Sequence, residues 1–169
     1  MYKNRIIEIA TYVVVGAAIW VVSPALGKLL DSLYFHYPSL FADSVAVLLT
    51  GVFLIILGMI LVVWTITLFK TRGKGTPNPK LPPRNFIIDG PYRISRNPMA
   101  LGGLLVLLGE SAIYYSPSLL GLSLAYGVVI YLNAKYVEEP ELKKRFGDQY
   151  DEYLKKVPRL FPNPFKSHK

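Results

Sequence analysis

Apolar residues lie in four long blocks along the chain and do not alternate with polar residues at a helical or strand period. Residues 9–27, 44–69 and 116–134 carry no charge, and residues 97–115 carry only that of Glu110. A helix needs about 20 apolar residues to cross about 30 Å of hydrocarbon, and each block approaches or exceeds that length. A soluble helical bundle would need polar faces at these positions. The pattern therefore predicts an all-α integral membrane protein with about four transmembrane helices.

These blocks set the expected organisation of a single membrane domain over residues 1–169. We expect transmembrane helices over about residues 6–27, 44–69, 98–115 and 117–135, and a loop over about residues 70–96. Proline lacks the amide hydrogen and clashes with the preceding turn, so Ser23-Pro24 should kink or end the first helix. The first block is longer than the core of a typical signal peptide, so we expect a retained helix.

A further helix is expected beyond the fourth block, over residues 140–157. Apolar side chains recur there every three or four residues with charged residues between them, at Leu142, Phe146, Tyr150, Tyr153, Leu154 and Val157. This spacing predicts an amphipathic helix. Such a helix can lie flat on the membrane surface, or it can fold over a cytoplasmic cleft as a cover. The pattern leaves both arrangements open.

Lysine and arginine are distributed unevenly between the two sides that the blocks define. They precede the first block, fill the loop at 70–96 and follow the fourth block, whereas residues 28–43 and 114–117 are nearly free of them. This asymmetry predicts that both termini and the 70–96 loop face the cytoplasm. It also accounts for the net charge of +8 without nucleic acid, because no basic repeat interleaved with aromatic residues and no zinc-ligand spacing is present.

The sequence does not favour metal or thiol chemistry. It contains no cysteine, which excludes disulfides, thiolate metal sites and cysteine nucleophiles. Its two histidines, His36 and His168, lie in a predicted outer loop and at the extreme tail. We therefore expect no metal site and no histidine-based catalytic triad.

Two polar clusters flank the last two blocks. The first covers residues 90–98, before the third block, and the second is Glu138-Glu139, after the fourth. A short turn joins the two helices into an antiparallel hairpin, so both clusters should reach the same membrane face. Arginines and carboxylates there can form ion pairs at the membrane boundary. They can also bind a zwitterion, because a carboxylate holds an ammonium group and arginine holds a carboxylate.

An ordered set of motifs in the C-terminal half carries a family resemblance. The segments are Gly90-Pro-Tyr-Arg93, Arg96-Asn-Pro-Met-Ala-Leu-Gly102, Glu138-Glu139-Pro-Glu-Leu142, Phe146-Gly-Asp-Gln-Tyr150 and Tyr153-Leu-Lys-Lys-Val-Pro-Arg159. Together they resemble the isoprenylcysteine carboxyl methyltransferase family, which includes phospholipid methyltransferases and many prokaryotic members. The resemblance implies a multi-pass methyltransferase of a prokaryotic cell membrane that uses S-adenosylmethionine.

The resemblance also assigns roles to individual residues. It implies that Glu138 and Glu139 bind the cofactor's ammonium group, with Arg96 and Asn97 near its carboxylate. Tyr92 and Arg93 would be catalytic residues on the acceptor side, at the mouth of the site. The full set implied to bind the cofactor is Arg96, Asn97, Pro98, Met99, Gly102, Glu138 and Glu139.

Two positions depart from the family pattern. Asn97 stands where many members have histidine, and Ala100 stands where many have tyrosine. Asparagine still donates a hydrogen bond, but it cannot act as a base near neutral pH. We therefore expect cofactor binding to survive these departures. The expected acceptor is a lipophilic or amphipathic small molecule at the cytoplasmic membrane face, and membrane lipid is a further expected partner. The alternatives are a phospholipid-type amine N-methyltransferase and a non-catalytic membrane protein that retains the fold.

Two kinds of residue within the third block have a second interpretation. Gly102, Gly103 and Gly109 either permit close helix packing, the commoner reason for glycine in a span, or let an adenosyl group pass. Glu110 is an ionisable residue near the outer end of the block, and such residues are costly in a membrane and often functional. Because Glu110 lies far from both polar clusters in the predicted hairpin, we leave it out of the site.

Overall fold

The computed structural model describes residues 2–35, 44–74 and 85–161. Every regular element in these ranges is a helix, as the apolar blocks predicted. The first helical stretch consists of α1 (Tyr2–Ala17), a π-helical segment (Ala18–Val22) and α2 (Ser23–Tyr34). The remaining elements are α3 (Val45–Thr71), a 3-10 turn (Gly90–Arg93), α4 (Pro98–Ile113), α5 (Pro117–Asn133), a second π-helical segment (Ala134–Glu138), α6 (Glu139–Phe146) and α7 (Asp148–Lys156).

Three helical stretches are long and apolar enough to cross a membrane: Ile9–Tyr34, Val45–Thr71 and Pro117–Phe146. The block predicted as a further span, 98–115, forms the shorter apolar helix α4. Its 16 residues extend only about 24 Å at 1.5 Å per residue. Most of α4 is buried inside the bundle, and it ends because the chain turns at Tyr115, which has a positive φ of 49°.

The first helical stretch continues past Pro24. Of the two outcomes expected there, a kink or an end, the helix end does not occur. The backbone N–H of Ser23 bonds to the carbonyl of Ala18, five residues back, so the turn before the proline is widened. This π-helical segment accommodates the missing proline donor, and the helix continues to Tyr34. Among the described residues, α1 makes no substantial contact with α3, α4 or α5, whereas α2 packs against α5.

Glycines bring the backbones of α3 and α4 into direct contact at two levels. A Cβ on Gly58 would lie 2.5 Å from the carbonyl oxygen of Gly102, and one on Gly51 would lie 2.8 Å from that of Gly109. The reciprocal distances, from Gly102 to Gly58 and from Gly109 to Gly51, are 2.7 and 2.6 Å. Small residues allow this approach, which strengthens van der Waals contact between helices in a membrane. The packing interpretation of Gly102 and Gly109 therefore agrees with their contacts.

A short turn closes α4 and α5 into the predicted antiparallel hairpin. The Ser116 hydroxyl accepts a hydrogen bond from the Leu119 N–H at 3.0 Å and caps α5. Gly27 of α2 packs against Leu119, and the Asp31 carboxylate accepts a hydrogen bond from the Ser118 N–H at 3.0 Å. These contacts hold α2 against the end of the hairpin that lies opposite the two polar clusters.

The C-terminal segment forms two helices, whereas one amphipathic helix was predicted over 140–157. Gly147 separates α6 from α7 with a φ of 55°, a conformation that glycine adopts without steric cost. Tyr150, Tyr153 and Val157 are buried, and Phe86 packs against them. The segment therefore folds back over residues 85–88, and its apolar side chains pack against protein.

Some sequence predictions fall outside the described residues. These are the two histidines, His36 and His168, the middle of the predicted 70–96 loop at 75–84, and the tail at 162–169. Within the described ranges, no three side chains of histidine, cysteine, aspartate or glutamate are grouped to hold a metal ion.

We predict that Gly58→Val destabilises the protein in detergent by about 1–3 kcal/mol, the typical cost of overpacking. The new side chain would meet the backbone of Gly102, which cannot move aside cheaply. The loss of stability should appear as a lower midpoint of thermal unfolding, monitored by tryptophan fluorescence. Gly121→Ala is the control, because nothing lies within 4 Å of a Cβ at that position. Equal midpoints for Gly58→Val and wild type would contradict the packing argument.

Candidate functional site at the ends of the α4–α5 hairpin

Asn97 caps the first turn of α4 and points its amide at the second polar cluster. Its Oδ1 accepts a hydrogen bond from the Ala100 N–H at 3.3 Å, and Pro98 occupies the first helical position. Because the carbonyl end serves as the cap, the Nδ2 is left to donate to Glu138 Oε2 at 2.8 Å. The cap thus fixes the direction of the Asn97 amide.

Glu138 accepts hydrogen bonds from two neutral amides. In addition to Asn97, Asn133 donates from its Nδ2 to Glu138 Oε1 at 2.7 Å. Asn133 lies five residues earlier, and the π-helical segment between them widens the turn that brings the two side chains together. Glu138 is partly buried, and both of these partners are uncharged, so they orient the carboxylate without neutralising it.

Glu139, in contrast, is bound by two arginines. Its Oε1 lies 2.9 Å from Arg96 Nη1 and accepts from Arg159 Nε at 2.6 Å. Its Oε2 accepts from Arg159 Nη2 at 2.9 Å, which completes a two-pronged pair. The side chains of Arg96 and Glu139 are only 14% and 13% exposed, so water weakens these interactions little.

The chain after α7 returns to the start of α4 and delivers Arg159. The Arg96 N–H donates to the Pro158 carbonyl at 2.9 Å, and the Ser95 hydroxyl donates to the Arg159 carbonyl at 3.4 Å. Leu160 is buried in an apolar cluster with Leu104 of α4 and Ile130 of α5. The segment is therefore anchored by its main chain and by an apolar side chain. The Arg159 guanidinium also lies 4.8 Å from the centroid of the Tyr131 ring.

Tyr92 lies in the 3-10 turn before α4 and is held from two sides. Its carbonyl accepts a hydrogen bond from the Tyr153 hydroxyl at 2.6 Å, and its ring packs edge-on against Phe69 of α3. Burial, together with the nearby negative charge of Glu138, raises the pKa of the Tyr92 hydroxyl well above its usual range. That hydroxyl stays protonated at neutral pH and can donate a hydrogen bond.

Arg93, predicted beside Tyr92 on the acceptor side, is paired with a different group. Its Nη2 lies 3.3 Å from Asp89 Oδ1, and its side chain is 75% exposed. Asp89 also binds Arg72 at the end of α3. The hydrogen bond from Arg72, followed by those from Arg93, holds the pKa of Asp89 below its usual range. This surface group carries two positive charges and one negative charge.

The sequence-predicted residues fall into two groups in the structure. Arg96, Asn97, Glu138 and Glu139 come together, and Tyr92 lies close enough to feel the charge of Glu138. Gly102 faces α3 at Gly58, while the neighbouring Gly103 faces the hydroxyl of Tyr126 on α5. Pro98 is buried and Met99 is partly buried at the start of α4. The contacts of Gly102 are those of a packing residue.

Sequence reasoning left Arg159 and Asn133 out of the predicted site. Arg159 stood at the end of a recognised motif, after Val157-Pro158, but nothing local indicates that the chain returns to Glu139. Asn133 is the last residue of α5, and its distance from Glu138 depends on a π-helical turn that a helical pattern does not reveal.

The site offers complementary groups to an amino acid zwitterion. Glu138 can accept bonds from an ammonium group, and the guanidinium of Arg96 has a buried Nε that no acceptor satisfies among the described residues. An unsatisfied buried donor is costly, and a carboxylate would relieve that cost. The donor set therefore fits the amino-acid end of S-adenosylmethionine.

The pH dependence of stability should report the burial of Tyr150. Burial, followed by the negative charge of Glu139, raises the pKa of Tyr150 to about 12 from 10.0. As the pH rises, Tyr150 loses its hydroxyl proton in the unfolded state before it does so in the folded state. The contribution of Tyr150 to the free energy of unfolding is therefore complete below pH 10.0 and is lost as the pH rises through about 12.

We predict that Tyr150→Phe shows a smaller fall in thermal unfolding midpoint across that alkaline window than wild type does. Tyr136→Phe, at a ring that is 63% exposed, should keep the wild-type pH dependence. The prediction is wrong if Tyr150→Phe and wild type lose stability in parallel.

Comparison with known proteins shows the family of the chain. The family model described as phospholipid methyltransferase matches residues 46–149, which run from α3 into α7 and include both polar clusters. No curated protein matches the chain. The family match covers more than half of the 169 residues and confirms the resemblance found in the motifs. The chain therefore belongs to the phospholipid methyltransferase family, a family of membrane methyltransferases.

Proposed function

We propose that the protein is an S-adenosylmethionine-dependent methyltransferase that acts on a lipophilic or amphipathic small molecule at the cytoplasmic membrane face. Family membership supports the reaction class. The observation that carries the proposal is the separation of charge at the hairpin ends. Glu138 keeps a negative charge bound only by amides, and Arg96 keeps a buried donor without an acceptor.

The cofactor, when bound, supplies a methyl group that is already activated for transfer. The chain's own residues then have to bind, align and exclude water. Glu138 would hold the ammonium group, and Arg96 would hold the carboxylate. Asn97 would orient Glu138 through its hydrogen bond. This role differs from the one predicted from the sequence, in which Asn97 lay near the cofactor's carboxylate. Glu139 would act through the two arginines that bind it.

The remaining predicted residues have narrower roles in this proposal. Pro98 and Met99 start the helix that presents Asn97, and Gly102 lets that helix pack against α3. Tyr92 would donate a hydrogen bond at the acceptor side, because its raised pKa keeps the hydroxyl protonated near neutral pH. The buried tyrosines of α7, packed on Phe86, would exclude water from the cytoplasmic side.

The acceptor is proposed to reach the site from the lipid. The outward face of α5 is apolar and exposed, at Leu120, Leu124 and Val128, and α1 does not cover it among the described residues. A lipophilic molecule can approach along such a surface, whereas a strongly polar one would pay for desolvation. Arg93 and Arg72, which share Asp89, would attract an anionic head group.

A phospholipid-type amine N-methyltransferase is the second candidate, and the description of the matching family favours it. A non-catalytic protein that retains the fold is the rival from another class. Asn97 and Ala100 motivated that rival. The bond from Asn97 to Glu138 argues against it, because asparagine supplies the amide donor that orients this carboxylate.

We also propose a multi-pass arrangement in a prokaryotic cell membrane, with both termini and the 70–96 loop in the cytoplasm. The apolar stretches support membrane insertion, and the lysine and arginine asymmetry supports the orientation. Membrane lipid is then the immediate partner of the exposed apolar side chains.

Cofactor binding is predicted to depend on Glu138. Calorimetry with S-adenosylhomocysteine should show a loss of roughly tenfold or more in Glu138→Gln, because a hydrogen bond between charged groups is worth about 1.5–3 kcal/mol. Glu141→Gln is the matched control, since Glu141 is exposed and pairs only loosely with Arg145. Unchanged affinity in Glu138→Gln would remove Glu138 from the site.

Membranes containing the protein should transfer label from methyl-labelled S-adenosylmethionine into the organic extract. The expected reason is lateral access of a lipophilic acceptor along the exposed face of α5. Membranes with Glu138→Gln serve as the control and should transfer much less. Protein-dependent label confined to water-soluble products would overturn the lipophilic acceptor, and absence of label despite confirmed cofactor binding would favour the non-catalytic rival.

A further inference from the structure

Arg159 neutralises Glu139 in a partly buried, two-pronged geometry. It contributes two donors, Nε to Oε1 at 2.6 Å and Nη2 to Oε2 at 2.9 Å. Arg96 adds a third contact, from Nη1 to Oε1 at 2.9 Å. Both carboxylate oxygens of Glu139 are therefore bound by guanidinium groups. These three contacts use most of the roughly four lone-pair positions of the carboxylate, and the two guanidinium charges already compensate its negative charge. A ligand ammonium group would therefore gain less at Glu139 than at Glu138, which only amides hold.

The resulting charge balance divides the site into two poles. Two arginines around one glutamate leave a net charge of +1 at Arg96, Glu139 and Arg159. Glu138 contributes −1 and is held by Asn97 and Asn133, which are neutral. A zwitterion with a carboxylate and an ammonium group matches these two poles. If Arg159 were absent, Arg96 and Glu139 would neutralise each other and the positive pole would disappear.

The side chain of Arg159 is not needed to hold the end of the chain in place. The Pro158 carbonyl already accepts from the Arg96 N–H at 2.9 Å, and the Arg159 carbonyl accepts from Ser95. Leu160 is only 3% exposed and packs with Leu104 and Ile130. The guanidinium therefore has an electrostatic effect that is separable from the anchoring of this segment.

We propose that Arg159 is a positioning residue for the cofactor's amino-acid group, an inference that rests on the function proposed above. Arg159 compensates the charge of Glu139 and thereby leaves a net charge of +1 on the group that includes Arg96, which can bind the ligand carboxylate. It also leaves Glu138 as the carboxylate that binds the ammonium group. Arg159 acts through these neighbours and need not touch the ligand.

Charge restoration in a double variant provides the test. Calorimetry with S-adenosylhomocysteine should show affinity lowered by roughly tenfold or more in Arg159→Gln, the scale expected for losing a charged partner. Adding Glu139→Gln restores the net charge of +1, and the double variant should return to within a few-fold of wild type. Arg159→Lys keeps the charge and should also bind near wild type. Lys143→Gln, which removes an exposed cation paired with Asp151, is the control and should bind as wild type does.

A second ligand separates electrostatics from folding. Decarboxylated S-adenosylmethionine lacks the carboxylate, so Arg159→Gln should leave its affinity nearly unchanged while it weakens S-adenosylhomocysteine. A residue that only anchors the chain would weaken both ligands equally. If Arg159→Gln does not fold, Arg159→Lys and the double variant carry the test by their thermal unfolding and their affinities.

The outcomes distinguish this inference from the proposed function. Wild-type protein that fails to bind S-adenosylhomocysteine would overturn both. Binding by wild type with equal affinity in Arg159→Gln would overturn the role of Arg159 alone. An equal loss of affinity in Arg159→Gln and in the Arg159→Gln, Glu139→Gln double variant would show that Arg159 only holds the chain end in place.

Discussion

The backbone contact between α3 and α4 is the constraint on which the rest of the structure depends. Helix α4 is too short to cross a bilayer alone at about 24 Å, so its position has to come from its neighbours. The glycine pairs Gly51–Gly109 and Gly58–Gly102 bring the two backbones together over two turns. That contact fixes where α4 begins, and hence where Asn97 and Arg96 stand relative to the end of α5.

Four ionised side chains meet where α4 begins and α5 ends, and their arrangement differs from a set of surface ion pairs. Partly buried charges are costly unless they are paired and hydrogen-bonded. Glu139 meets this requirement with Arg96 and Arg159, whereas Glu138 meets it only with amides. One carboxylate is thereby committed to structure and the other is available to a ligand. In the proposed site the adjacent glutamates of the motif therefore have different roles.

The sequence predicted the features that depend on local pattern. Unbroken apolar blocks predicted the helices, and the short turn after α4 predicted that the polar clusters at 90–98 and 138–139 would reach the same membrane face. The block at 97–115 was predicted to form a full span followed by a turn, but the helix that it forms has only 16 residues, fewer than the about 20 that a crossing needs. The single amphipathic helix was wrong because its apolar spacing continues across Gly147, although the backbone breaks there. Arg159 could not be placed because its partner lies 20 residues earlier, across two helices.

The π-helical segment at Ala18–Val22 has a mechanical consequence for the first helical stretch. On one side of it, α2 is packed against α5, and on the other side α1 makes no substantial contact with α3, α4 or α5 among the described residues. Membranes differ in thickness, and helices adapt to the mismatch by tilting or kinking at a modest cost per ångström. A hinge at this position lets α1 change its tilt with the bilayer while α2 stays still. Such a change in the tilt of α1 would leave the contact of α2 with α5 undisturbed.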